Sequence, residues 1–156
     1  MRREDFTLDV SDEEWVEADG EPRRPTVTID FEGEKDALRE RFAGPDGEYP
    51  AGDHIDVTLR LRGDPDAPET AGVVAVTDRV TGALIFELDE RAVDVLDFVD
   101  TARAYGERSG DDGGYRVVVA VEGEPVVTYE KETFLVYSED GDLLRGRSLI
   151  PGGVEL

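Results

Sequence analysis

The sequence predicts an α+β domain: a largely antiparallel sheet with one main helix packed on a face. Three observations carry this. Most of the chain alternates apolar and polar residues with period two. Short turns rich in Gly, Asp and Pro separate those stretches. One long segment, residues 90–105, instead repeats with the period of an amphipathic helix. A β-sandwich with an added helix is the alternative. At 156 residues, with no internal repeat and no low-complexity segment, the chain fits a single domain over 1–156.

The elements follow in order. Phe6, Leu8 and Val10 alternate with Asp5, Thr7 and Asp9, a half-buried strand. Ser11 and Glu14 then fit a capping box, with Val10 and Trp15 at the positions of a hydrophobic staple. Together they predict a short helix over 12–18, closed by Gly20, that anchors the only tryptophan. Val27, Ile29 and Phe31 give a second strand. Residues 34–43 fit both periods. The spacing of Leu38 and Phe42 ahead of the turn Gly44-Pro45-Asp46-Gly47 favours helix. Ile55, Val57, Leu59 and Leu61 form a clean strand, and Gly63–Gly72 reads as a mobile surface loop.

Residues 73–78 and 83–88 read as a hairpin, with Gly82 in the left-handed position of its turn. In the long helix, Ala92, Val95, Leu96, Val99 and Ala102 form one stripe with Phe98 at its edge. Glu90, Asp94 and Asp97 lie opposite, Asp89 suits the N-cap and Gly106 the stop. Residues 106–114 follow as a flexible connection. The last third reads as a meander. Its first strand, Tyr115–Val121, is apolar on both faces and so belongs at the centre of a sheet. Val126–Tyr129 follows, with Lys131 in the next turn. Phe134–Tyr137 then leads into the turn Glu139-Asp140-Gly141-Asp142, and Leu143–Ile150 closes the sheet.

Charge says most about the setting. The chain has 39 acidic residues against 17 basic ones, a net charge of −22. Lys35 and Lys131 are the only lysines, and asparagine, glutamine and cysteine are absent. Wherever a surface needs a polar side chain, the sequence supplies a carboxylate. Such a surface repels itself in dilute buffer. The composition therefore points to molar intracellular salt. Without cysteine there are no disulfides, thiolate metal sites or cysteine nucleophiles. No apolar run approaches the ~20 residues of a membrane helix. Acids follow Arg2-Arg3 where an export signal needs an apolar stretch, so the expected location is cytoplasmic.

The stretches MRREDFTLDV, RPTVTIDF, VAVTDRVTG, VTYEKETFLVYSEDG and SLIPGGVEL resemble a family of small acidic proteins from halophilic archaea. The resemblance runs nearly end to end. The family has no assigned activity, so it implies a setting and no site.

Chemistry is sparse. His54 is the only histidine, and Asp53 or Asp56 could hold it as a base or ligand. With so many acids such neighbours are also expected by chance, and a solvated loop histidine is the simpler reading. Ser11, Ser109, Ser138 and Ser148 have no nucleophile-elbow context. The run Gly110–Gly114 is too acidic to cradle a phosphate. Two carboxylate clusters, Asp111-Asp112 and Glu139-Asp140-Asp142, invite a divalent cation, but neither has the spacing of a calcium loop. Acids spread over every loop do not make a nucleic-acid mimic, and the arginine pairs are scattered among acids. No catalytic residue and no cofactor are assigned, and a metal site stays undetermined. The sequence favours a non-catalytic module for protein interaction or assembly, binding neither nucleic acid nor membrane. The alternative is a carboxylate-based enzyme or divalent-metal-binding protein using the His54 loop.

A first expectation follows from charge alone. The Debye length falls from about 10 Å at 0.1 M salt to about 3 Å at 1 M. Circular dichroism should therefore show the fold loosening below a few tenths molar salt and recovering on addition of KCl. Identical spectra in dilute buffer and molar KCl would remove the inference.

Overall fold

The computed structural model describes residues 2–13, 20–42, 54–109 and 114–150. The 12–18 helix, Trp15, the 44–47 turn, Asp53, the Asp111-Asp112 pair and residues 151–156 lie outside them, wholly or in most part. The α+β class holds, with strands β1 (Phe6–Ser11), β2 (Thr26–Phe31), β3 (Ile55–Leu61), β4 (Ala71–Asp78), β5 (Leu84–Arg91), β6 (Tyr115–Val121), β7 (Glu124–Lys131) and β8 (Leu135–Tyr137). The helices are α1 (Lys35–Phe42) and α2 (Ala92–Ser109). The strands divide between two four-stranded sheets, ordered β1-β2-β6-β7 and β5-β4-β3-β8. Each sheet is antiparallel apart from one parallel pair, β2 with β6 inside the first sheet and β3 with the edge strand β8 in the second. The alternative of a sandwich with an added helix thus describes the strand arrangement more closely than one sheet does.

Period-two patterning explains why two sheets form. Each sheet has one apolar face, and the cheapest way to cover it is with the other. On the first sheet Leu8, Ile29 and Val119 stand in one cross-strand row, and Val10, Val27 and Val117 in the next. On the second, Leu59, Val74 and Leu88 stand in register, as do Val57, Val76 and Phe86. These residues meet in a single core. Phe6 of β1 stacks on Phe86 of β5 with ring centroids 4.5 Å apart, tying the sheets together. Phe42 of α1 meets the same ring edge-on at 5.8 Å. From α2, Phe98 packs edge-on against Tyr115 of β6 at 5.3 Å and Phe134 at 6.1 Å.

Several expectations change. Asp89 does not cap α2: β5 continues through Arg91, with Asp89 paired to Val73, and the helix starts when the Ala92 N–H donates to the Thr70 carbonyl. Gly106 does not stop it, because the helix runs on to Ser109. The 63–72 stretch is a fastened turn. The Thr70 hydroxyl, on a buried residue, donates to the Asp64 carbonyl at 2.6 Å, and Arg147 pairs with Asp66. The last third is no simple meander. Phe134 turns inward against Phe98 and Tyr115, carrying the chain across to the second sheet, where β8 lies parallel to β3. Leu143–Ile150 is not a strand. It makes isolated bridges at Leu143 and Leu149 around a 3-10 turn at Arg145–Arg147. Expectations also hold: β6 lies inside its sheet, and Gly82 and Gly141 have φ of +77° and +88° in the two hairpin turns.

Lys131 is the sharpest departure. It closes β7 and is 6% exposed, with Nζ donating to the Ile55 carbonyl at 2.6 Å. An ammonium group is tolerated at such depth only when hydrogen-bonded.

Two tests follow from the core. Ser148, 2% exposed, accepts the Val136 N–H at 2.9 Å and donates to the Leu144 carbonyl at 2.8 Å. Ser148→Ala strands a buried donor, and denaturant unfolding should show a loss of about 1–3 kcal/mol. Burial pushes the Tyr115 phenol above its ordinary range, the Asp56 carboxylate adds to this and Arg79 opposes it. Its hydroxyl donates to the Thr133 carbonyl at 2.7 Å. Because the folded value is raised, this group's contribution is complete below pH ~10, where the unfolded phenol titrates, and declines above it. The drop in unfolding midpoint at alkaline pH should be shallower in Tyr115→Phe than in the parent.

Candidate functional site

Side chains alternate across a strand, so the second sheet turns two full rows of residues outward. One row runs Asp89, Val73, Arg60, Tyr137 across β5, β4, β3 and β8, and the next runs Glu87, Ala75, Thr58, Leu135. Both helices pack on the opposite side, inside the core. A trough of about 440 Å³ lies over these rows. Its floor is apolar or hydroxylic: Val73 is 8% exposed, and Ala75 and Thr58 are half-buried. Its rim carries three arginines, Arg3, Arg60 and Arg62, against two glutamates, Glu87 and Glu139. Asp89 stands beside Arg3 and Arg62 on the same face, so three arginines meet three carboxylates, a locally neutral patch in a chain of net charge −22.

The charges on this face are held at the β5 side. Arg3 pairs with Glu87 at 2.5 Å and Asp89 at 3.2 Å, and Arg62 stands 3.7 Å from Asp89. Arg60 is the direct cross-strand neighbour of Tyr137, and its Nη2 donates to the Glu139 carbonyl at 3.2 Å. The outer face of the first sheet is chemically different. Its rows run Asp9, Thr28, Val118, Thr128 and Thr7, Asp30, Ala120, Pro125, a surface of threonine, carboxylate and small apolar residues without arginine or tyrosine.

The sequence-derived candidates do not converge on either face. His54 is exposed, and its carbonyl accepts the Arg79 N–H at 2.8 Å. Asp56 is engaged by Arg79, whose Nε and Nη2 donate to it at 3.0 and 2.5 Å. The Glu139-Asp140-Asp142 group is a turn. Ser138 accepts the Asp142 N–H at 3.1 Å through Oγ and the Gly141 N–H at 2.9 Å through its carbonyl. Asp9, Glu13, Glu90, Asp94 and Asp97 line a second, acidic cleft of about 220 Å³ between β1 and α2. Among the described residues, no three His, Asp or Glu side chains are placed to hold a metal ion. Nor is any described helix long and apolar enough to cross a membrane.

Sequence reading missed the trough. One signal was available: Val73-Val74-Ala75-Val76 is apolar without alternation, which places apolar side chains on both faces of β4. The pairing of β8 with β3, which brings Tyr137 beside Arg60, had no local signature.

A family model described as a family of unknown function (DUF5793) matches residues 1–156. The chain belongs to that family. The match spans both sheets and therefore the whole trough. No curated protein and no solved structure matches the chain.

The acidic cleft generates a test of its own. Partial desolvation raises the Asp97 carboxyl above its ordinary value, with the Asp100 and Asp94 carboxylates adding to the shift. The charged form is thus disfavoured in the fold, and this group's contribution to stability falls as pH rises through the folded value. Asp97→Asn should raise the thermal midpoint at neutral pH, measured at the lowest KCl concentration in which the parent stays folded. The gain should shrink in 1 M KCl and vanish below pH ~4, where an unperturbed aspartate is protonated.

Proposed function

We propose that this protein is a non-catalytic, cytoplasmic domain adapted to molar salt, working by holding a protein partner on the outer face of its second sheet. One observation carries the reading. The row Val73, Arg60, Tyr137 places an apolar floor, a guanidinium and a phenol side by side on a face that neither α1 nor α2 covers. Tyrosine and arginine over an apolar floor is the composition enriched at the energetic centre of protein interfaces. The carboxylate surface elsewhere supports the salt adaptation. In molar salt, long-range attraction is screened, so a partner must be held by apolar contact and directional hydrogen bonds. This face supplies both.

The test compares capture of a partner in molar KCl by the parent, by Tyr137→Ala and by Thr128→Ala, the last on the wet face of the first sheet. Tyr137→Ala should lose about tenfold or more in affinity, about 1.4 kcal/mol, with unchanged circular dichroism. Thr128→Ala should bind like the parent. Equal capture by all three proteins would place the interface elsewhere.

A further inference from the structure

The chemistry of the partner can be read from the charges in the trough, and this step rests on the reading just given. Glu87 and Asp89 are already answered by Arg3. Arg60, two strands away from them, has no carboxylate within 4.0 Å among the described residues. A guanidinium carries five N–H donors, and the one bond Arg60 makes to another described residue is to the Glu139 carbonyl. Among the described residues, neither the Thr58 hydroxyl nor the Tyr137 phenol makes a hydrogen bond. Three polar groups with unused capacity thus surround one apolar floor.

We propose that the trough is a receptor for a carboxylate side chain on an extended segment of a partner protein. Arg60 takes the Glu or Asp carboxylate in a bidentate pair, the geometry its fork matches. The Tyr137 hydroxyl donates a further hydrogen bond, and apolar neighbours of that carboxylate lie on Val73 and Ala75. A peptide fits better than a free anion. In molar salt a single surface guanidinium attracts a free anion only weakly, so binding needs apolar contact that acetate cannot make. The trough, at about 440 Å³, is also far larger than one carboxylate. A phosphate dianion is disfavoured by Glu87 and Glu139, which share the lining.

The full chain, isotope-labelled in molar KCl, would be titrated with four probes while the Arg60 Nε and Tyr137 ring signals are followed by NMR. The probes are the blocked tripeptide Val-Glu-Val, its glutamine counterpart, its phosphoserine counterpart and sodium acetate. The glutamate peptide should shift both signals and bind at least tenfold more tightly than the other three. Arg60→Gln should bind the glutamate and glutamine peptides alike while keeping its circular dichroism. Equal binding of those two peptides by the parent, or no shift with either, would overturn the carboxylate assignment. Tighter binding of the phosphoserine peptide would overturn it in favour of a phosphorylated partner. The two readings fail separately. Loss of partner capture in Tyr137→Ala without glutamate selectivity keeps the interface and removes the carboxylate. Selectivity with unchanged capture keeps the receptor and removes the interface.

Discussion

Two β-sheets here have one apolar face each, and the molecule exists because each covers the other. The stacked rings of Phe6 and Phe86 join the sheets directly, and Phe98 extends the same core to α2 and Phe134. That core has to hold in a chain carrying 39 carboxylates. Burying one large apolar side chain contributes about 1.5–3 kcal/mol, while repulsion between exposed carboxylates depends on the salt around them. The balance between an invariant core and a salt-dependent surface governs the rest of the structure.

That balance shapes the few buried polar groups. Lys131, Ser148 and Tyr115 each direct a side-chain donor at a backbone carbonyl: Ile55, Leu144 and Thr133 respectively. Backbone carbonyls are acceptors that carry no net charge and keep no counter-ion. The ion pairs that do form, such as Arg3 with Glu87 and Arg79 with Asp56, sit on partly exposed side chains. There they organise the surface more than they stabilise it.

The two outer faces then divide the work. Threonine and carboxylate on the first sheet keep that side wet. On the second, the β4 residues Val73 and Ala75 remain apolar outward while Arg60 and Tyr137 stand beside them. Tyrosine and arginine over an apolar floor make this face the proposed place for a binding function.

Sequence alone determined most of the elements. Period-two runs marked β1 to β7, a helical stripe marked α2, and glycines at 82 and 141 marked two turns, because these depend on neighbours within a few residues. The charge imbalance was equally plain. Ends of elements were less legible. Asp89 looked like a cap because its side chain suits one, yet β5 keeps its pairing with β4 through that position. The pairing of sheets was not legible at all. That β8 leaves the meander for β3, that Lys131 is buried under Ile55, and that Arg60 and Tyr137 become neighbours all depend on contacts between residues 76 or 77 positions apart. A local pattern cannot encode such contacts. They are decided when two apolar faces close on each other, and the trough is a consequence of that closure.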